Sequence, residues 1–343
     1  MQFRKKIEMK VRLPAEWEKQ SAVLMAWPHI STKWAPYLEN ARKCISEIIR
    51  AILKFEDVIL VVPDKKQAEE TRKLFPSERI HIQIVPSDDI WARDFGPITI
   101  FRNGRLELLD FKFNGWGEKY MFQKDDKITE KLKKLGAFGK IPRRSVKLVL
   151  EGGSIESDGE GIILTTEKCL LNQNRNPELS KKQIEATLMS ALGAKRILWL
   201  KHGKIRGDDT DSHIDTLAKF ADKNTIMYMA CNKKSDLHYA ELKKMEAELK
   251  SFRTASGKPY KLIPLPCPDP KFDEKGAQMP ATYANFLVIN GAVLVPTYQD
   301  KKDSIALKTI EGAFPQRKVI GIDCFQLIFQ HGSLHCATMQ IPE

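Results

Sequence analysis

The stretch KLVLEGGSIESDGEGIILT, residues 147–165, sets out the building plan of the chain. An apolar run, Leu148-Val149-Leu150, stops at Glu151, and two glycines then free the backbone to turn. Residues 154–156 and 161–165 read as the two arms of a hairpin around Asp158-Gly159. A helix follows, opened by a Ser180/Gln183 capping box and closed by Gly193. The same order recurs along the chain. WARDFGP (91–97) precedes a hairpin over 97–101 and 106–110, whose Asn103-Gly104 turn is a type I′ signal. TYANFLVINGAVLVPTYQD (282–300) holds a third hairpin, 285–289 with 292–295, around Asn290-Gly291. DDTDSHID (208–215) and the terminal HGSLHC (331–336) are the two other dense motifs.

Between these motifs, helices are predicted over 37–53, 65–74 with Asp64 as N-cap, 127–135 and 304–312. A helix over 235–252 keeps Leu242, Met245, Leu249 and Phe252 on one face. Residues 57–62 and 80–85 read as buried strands. Asp94, Glu151, His213, Tyr283 and Cys336 lie roughly 53 to 70 residues apart, longer than common repeat periods. A strand or hairpin, a helix and a strand follow most of them. This is the pattern of repeats that share structure more than sequence. If each repeat places its motif at the same end, all five converge on one axis, and the last repeat needs the N-terminal strand 21–27 to complete it. Two stacked α/β domains split near residue 200 are the alternative. One closed body, residues 1–343 with an N-terminal extension over 1–15, is preferred, because the chemistry draws on both halves of the chain.

Composition narrows the function. The 343 residues carry 56 Lys and Arg against 44 Asp and Glu, a net charge of +12, so nucleic acid must be weighed. The lysines are spread over helix faces and alternate with Glu, and no basic block is interleaved with aromatics, which argues against it. The N-terminus, MQFRKKIEMKVR, has no apolar segment of a secretory signal, and no apolar run approaches the roughly 20 residues that cross a bilayer. Six scattered cysteines without a CxxC pair argue against a zinc site or a disulfide framework and suit a reducing cytoplasm.

Cys336 is the candidate nucleophile, since a thiolate is the strongest common protein nucleophile. Its neighbour His335 should face the other way on an extended strand, so the remote His213 is the better acid/base. His213 and Asp215, two residues apart, should share one face, and a neighbouring carboxylate raises and orients a histidine. Asp94 sits between Trp91 and Phe95, which can wall a pocket; pairing with Arg93 is its plainer alternative. Glu151, at a strand end before Gly-Gly, reads as a pocket residue, and His331 as an entrance residue. The acidic run 208–215 lacks the glycine and terminal Glu of a calcium loop, so no metal is assigned.

Together WARDFGP, EGGSIESDG, the Asp-x-Thr-x-x-His-x-Asp of 208–215, residues 282–300 and HGSLHC resemble the agmatine deiminase family of guanidine-modifying enzymes, close to bacterial peptidylarginine deiminases. PAEWEKQSAVLMAWPH (14–29) is similar to the family's opening. The resemblance implies a five-bladed α/β propeller, the pentein fold. It implies a cytoplasmic hydrolase that converts agmatine to N-carbamoylputrescine and ammonia through a covalent thiouronium, with no cofactor, no nucleic-acid or membrane partner, and room for a homo-oligomer. It implies Cys336 as nucleophile, His213 as general acid/base, Asp94 and Asp215 gripping the guanidinium, and Glu151 supporting His213. Trp91, Asp209 and Gly332 would complete the substrate site. An arginine or peptidylarginine deiminase is the alternative, with Arg93 and Arg206 near in sequence for a substrate carboxylate; a polyamine-binding propeller without activity is a third. The pattern departs from the family at Asp209 (often Glu), Ser212 (usually Gly), Ser333 (often Asn) and His331 (often Gly).

Overall fold

A computed structural model describes residues 10–343, so residues 1–9 of the expected N-terminal extension lie outside the described part. Five sheets share one connectivity. In each, an antiparallel hairpin is followed by a helix and then by a strand parallel to the second arm, the crossover that a helix packs back onto a sheet. The first pairs Ile98–Arg102 with Arg105–Lys112, then adds Arg143–Val149 after helix Ile128–Lys134. The second joins Ile155–Ser157, Ile162–Thr166 and Arg196–Leu200 around helix Lys181–Leu192. The third is Ala218–Asp222, Thr225–Ala230 and Lys261–Pro266 with helix Tyr239–Ser251. The fourth is Leu287–Ile289, Ala292–Thr297 and Lys318–Asp323 with helix Asp303–Ala313.

The fifth sheet joins the two ends of the chain. Met339–Pro342 pairs antiparallel with Gln20–Ala26, which then pairs parallel with Asp57–Val62 and, beyond it, Ile80–Ile84. The expected N-terminal strand thus completes the C-terminal hairpin. Asp57–Val62, flanked on both sides in this sheet, is almost wholly buried, as an apolar run in a parallel sheet must be. Ile80–Ile84 is the outer strand and leaves His81 and Ile84 exposed, so its reading as a buried strand is corrected.

Local signals placed most elements. Asp64 caps Lys65–Leu74 by accepting from the Gln67 amide at 2.8 Å. Ser180 and Gln183 form the reciprocal capping box, and Gly193 ends that helix at φ +71°. The helix expected over 235–252 begins only at Tyr239. The Asp236 carboxylate takes the His238 amide at 2.9 Å, a local turn that competes with helix, and Phe252 leaves it in extended backbone. Leu242, Met245 and Leu249 still form the buried face.

One feature of this framework positions the chemistry. Every marker residue lies in the turn just before a hairpin: Asp94 before Ile98, Glu151 before Ile155, His213 before Ala218, Tyr283 before Leu287 and Cys336 before Met339. The five turns therefore occupy equivalent positions in the five sheets. Among the described residues no helix is long and apolar enough to cross a membrane.

Gly193 ties the second sheet's helix to the N-terminal segment. A Cβ there would stand 2.0 Å from the Val11 carbonyl, whereas one at Gly104, also at positive φ, would meet nothing within 4 Å. Gly104→Ala is expected to cost about 1 kcal/mol for its backbone alone. Gly193→Ala, which adds a backbone collision, should cost about 3 kcal/mol or more. Urea denaturation of the two variants checks the ranking; equal midpoints would contradict it.

Candidate active site

The turns meet over Gly153. Its amide donates to Asp94 Oδ1 at 2.9 Å. A Cβ on Gly153 would lie 2.7 Å from His213 Nδ1, 2.9 Å from Asp94 Oδ1 and 3.1 Å from Asp215 Oδ2. Three side chains from two other turns are thus packed around one backbone position that only glycine leaves open. His213 Nδ1 lies 3.7 Å from Asp94 Oδ1. Asp94 Oδ2 accepts from the Trp116 indole at 2.9 Å. Asp94 does not pair with its neighbour Arg93, whose guanidinium turns toward Glu16 at 3.7 Å and Gln340.

Two expectations about local geometry are corrected. His213 precedes a short 3-10 turn, Ile214–Thr216, and does not lie on an extended strand. The carboxylate nearest its ring is Asp94, while Asp215 Oδ2 accepts from His335 Nδ1 at 2.8 Å. Cys336 likewise sits in a turn before the last strand, so strand alternation does not govern His335. His335 is nonetheless turned from the thiol: its ring bridges Asp215 and Glu16, the latter at 2.7 Å.

Cys336 Sγ lies 3.3 Å from Asn285 Nδ2 and 3.7 Å from Asp215 Oδ2. Asn285 Oδ1 also accepts the His335 amide at 2.9 Å, so this side chain braces the turn that carries the thiol. Asn285 is the fourth turn's contribution. Tyr283, the marker expected there, points its hydroxyl to Asp303 at 2.7 Å. Glu151 is fully buried and accepts from Arg175 Nε at 2.7 Å. Glu151, Cys169 and His213 bring one potential ligand atom each within 4.8 Å, but Arg175 already holds the cation position beside Glu151.

A cavity opens onto this cluster. Its walls include Asp89, Trp91, Asp94, Trp116, Tyr120 and Asp209, with Gly332 and Cys336 also contributing. Cys336, Asp94, Trp91, Asp209 and Gly332 therefore line it as expected, whereas Glu151, His213 and Asp215 lie outside its lining and are fully buried. Gly332 is needed for packing: a Cβ would stand 2.4 Å from the Trp91 ring. Three carboxylates and no Lys or Arg line the cavity; neither Arg93 nor Arg206 reaches it. Asp209 Oδ2 accepts from the Tyr120 hydroxyl at 2.6 Å, and Asp89 from the Trp34 indole at 2.8 Å. His331 lines the mouth, its Nδ1 2.8 Å from the Gly207 carbonyl. Ser212 and His331, where the family pattern has glycine, adopt φ +70° and +66°, the left-handed backbone that glycine supplies without strain. Ser333 shares a 2.8 Å hydrogen bond with Tyr298.

Several of these residues escaped the sequence reading. Trp116 is held by a run of left-handed residues, Gly115 to Glu118, for which Gly-Trp-Gly was the available signal. Tyr120 follows on the same segment. Arg175, Asn285 and Glu16 carry no local mark, since their partners are distant in sequence.

Electrostatics follow from burial. Burial pushes Asp94 from 3.8 to about 6, with His213 opposing and Asp215 and Glu151 adding to the rise. That rise represents about 3 kcal/mol against the anion. For His213 burial works downward, but Asp94, Cys169 and Glu151 outweigh it and hold the imidazole well above its ordinary range. Burial also raises Asp215, yet its bond to His335 wins and leaves it below the ordinary value. The Cys336 thiol is driven well above 9 by burial, then by Asp215 and Asp94. Burial and these carboxylates therefore disfavour the thiolate, and a cation bound beside them would favour it by offsetting their charge.

The chain is similar to known proteins over nearly its whole length. Residues 12–342 match the model of the Porphyromonas-type peptidyl-arginine deiminase family. An agmatine deiminase of Medicago truncatula is 33% identical, with 96% of each chain covered. The structure of a C. jejuni agmatine deiminase, a Cys-to-Ser variant with substrate bound, superposes with a TM-score of 0.92 at 39% identity, covering 100% of this chain and 98% of that one. A crystal structure named provisionally as a peptidyl-arginine deiminase gives a TM-score of 0.94 at 50% identity, covering 97% and 99%.

The raised thiol yields a direct measurement. Asp94→Asn removes one of the two carboxylates that oppose thiolate formation, so the Cys336 pKa should fall. Iodoacetamide alkylation of Cys336 at pH 8, followed by peptide mass, should accelerate about tenfold. An unchanged or slower rate would show that Asp94 does not act on the thiol.

Proposed function

Because the chain belongs to the Porphyromonas-type peptidyl-arginine deiminase family, we propose that it hydrolyses the guanidinium of agmatine, giving N-carbamoylputrescine and ammonia. The observation that carries this reading is the cavity of three carboxylates and no basic lining that ends at Cys336. A dication fits it at both ends. Asp94 and the unpartnered Asp215 Oδ1 can take guanidinium nitrogens, while Asp209 and Asp89, with the Trp91 and Tyr120 rings, offer a counter-surface for the distal ammonium. An arginine substrate would present its carboxylate to these same acids, with no Lys or Arg in the lining to receive it and Lys33 already seated over the Tyr120 ring at 4.0 Å. The acidic cavity also reverses, locally, the net +12 of the chain, which would otherwise slow the encounter with a dication.

The chemistry then runs through Cys336. Guanidinium binding neutralises the carboxylates, and the thiol proton leaves to solvent. The thiolate attacks the guanidinium carbon, and the C–S bond forms as a tetrahedral adduct. His213, held well above its ordinary range by Asp94, Cys169 and Glu151 against burial, gives its proton to the departing nitrogen, the C–N bond breaks and ammonia leaves. The remaining thiouronium is attacked by water, whose proton returns to His213. The C–S bond breaks, the hydroxyl proton passes to solvent, and the ureido product leaves the thiolate behind. Glu151, held in place by Arg175 at 2.7 Å, sits within reach of His213 and adds to the carboxylates that favour its imidazolium. No step calls for a cofactor.

The reading extends to the architecture. Five sheets of one connectivity, each with its motif in the equivalent turn, support a single five-bladed body over the whole chain, with residues up to about 15 as an extension. A cytoplasmic setting suits the six free cysteines.

Incubation with agmatine, arginine and a blocked arginyl peptide, read by ammonia release, tests the assignment. Agmatine should be the preferred substrate, and release from the arginine compounds alone would overturn the choice. Cys336→Ala should abolish turnover. The acid limb of kcat/KM is expected at about 6, because Asp94, raised to about 6 by burial, loses its grip on the guanidinium once protonated. A limb near 4 would remove Asp94 from that role.

A further inference from the structure

Glu16 lies in the opening stretch 14–29, far in sequence from Asp215, His335 and Cys336, and does not line the substrate cavity. It lines a separate hollow with Arg93, Gly152, Glu156 and Gln340, and does not reach the cavity that Cys336 lines. It is nevertheless the most heavily bonded carboxylate behind the site. Its oxygens accept from Lys219 Nζ at 3.0 Å each, from the Val288 amide at 2.7 Å and from His335 Nε2 at 2.7 Å, with the Arg93 guanidinium 3.7 Å away. His335 Nδ1 in turn meets Asp215 Oδ2 at 2.8 Å, and that oxygen is 3.7 Å from Cys336 Sγ. Asp215 Oδ1 has no partner. Glu16, Lys219, His335 and Asp215 are each at most 6% exposed.

This chain of contacts has a proton requirement. A neutral imidazole donates from one nitrogen only, yet His335 has a carboxylate on both. Glu16 is held well below its ordinary range: burial would raise it, but Lys219 and His335 outweigh burial. Asp215 is also held low. Both carboxylates are therefore acceptors, and both contacts are satisfied together only by the imidazolium. Burial, then Arg93 and Lys219, outweigh Glu16 and Asp215 and lower His335 from its ordinary range; it is the two short carboxylate contacts, at 2.8 and 2.7 Å, that call for a proton on each ring nitrogen. Glu156, raised to about 8 by burial, is neutral and supplies no compensation.

We propose that Glu16 is a positioning residue for the deimination: through His335 it locks Asp215 with one oxygen spent on the imidazole and the other free for the guanidinium. Glu16 touches neither substrate nor thiol. The imidazolium it stabilises also offsets the charge of Asp215 facing Cys336. Without Glu16 the imidazole becomes neutral, Asp215 can rotate, and its uncompensated charge opposes the thiolate more strongly. This inference rests on the agmatine reading for its kinetic readout and on the thiol itself for a second.

The test is a double-mutant cycle with Glu16→Gln, His335→Gln and the pair, using Glu156→Gln as the control that replaces a neighbouring buried carboxyl without touching His335. Each single variant should lower kcat/KM for agmatine about 10- to 100-fold, and the pair should lose no more than about threefold beyond His335→Gln, as residues acting through one another do. The pH midpoint for alkylation of Cys336 should move upward in Glu16→Gln and stay in place in Glu156→Gln. If Glu16→Gln fails to fold because Lys219 is left uncompensated, the charge-balanced pair Glu16→Gln/Lys219→Met takes its place in the cycle. Additive losses, or an unmoved alkylation midpoint in a folded Glu16 variant, would overturn the proposal. A wild-type protein inactive on every guanidine substrate would instead overturn the agmatine reading, and the alkylation arm would still decide the role of Glu16.

Discussion

The amide of Gly153 and the space its missing side chain leaves hold the centre of this protein together. Asp94 needs a hydrogen bond to be buried at all, and the Gly153 N–H provides one at 2.9 Å. His213 and Asp215 occupy the volume where a Cβ would stand. Three ionisable groups from two further turns thus approach one backbone segment closely enough to set each other's charge. Their opposing influences, burial against pairing, leave the aspartate above its usual range and the imidazole above its own. That is the balance expected where a cation is to bind and a proton is to be moved.

The framework makes this convergence repeatable. Each sheet begins with a turn, and each turn presents a polar residue at the same point of its unit. The hairpins behind the turns are largely apolar and buried, so the turns are held by packing and do not have to stabilise themselves. The Met339–Pro342 strand shows the same economy. By pairing with Gln20–Ala26 it anchors the segment that carries Cys336 immediately before it, and it brings the N-terminal loop with Glu16 behind the site.

Much of the fold was readable because its signals are local. Asp64, the Ser180/Gln183 box and the Asn103-Gly104 turn act within a few residues of themselves, and each lies where its chemistry predicts. The late start of the helix at Tyr239 was missed because a side-chain bond within the Asp236 turn competes with helix, a contest that helical spacing does not register. The polar motifs stood out for the related reason that a carboxylate or histidine beside an apolar strand is costly unless it has a task.

What the sequence by itself determined was the inventory: a cysteine, a histidine and several carboxylates, set at regular intervals before hairpins, with glycines where the backbone must turn. Tertiary structure alone decided the partnerships. His213 faces Asp94 and not the nearby Asp215; Asp215 is bound by His335, and His335 by Glu16, 319 positions away in the chain. Glu151 belongs to Arg175, and the thiol of Cys336 to Asn285. These pairings depend on which side chains burial forces together without water, and that is a property of how the sheets pack, which no stretch of sequence carries within itself.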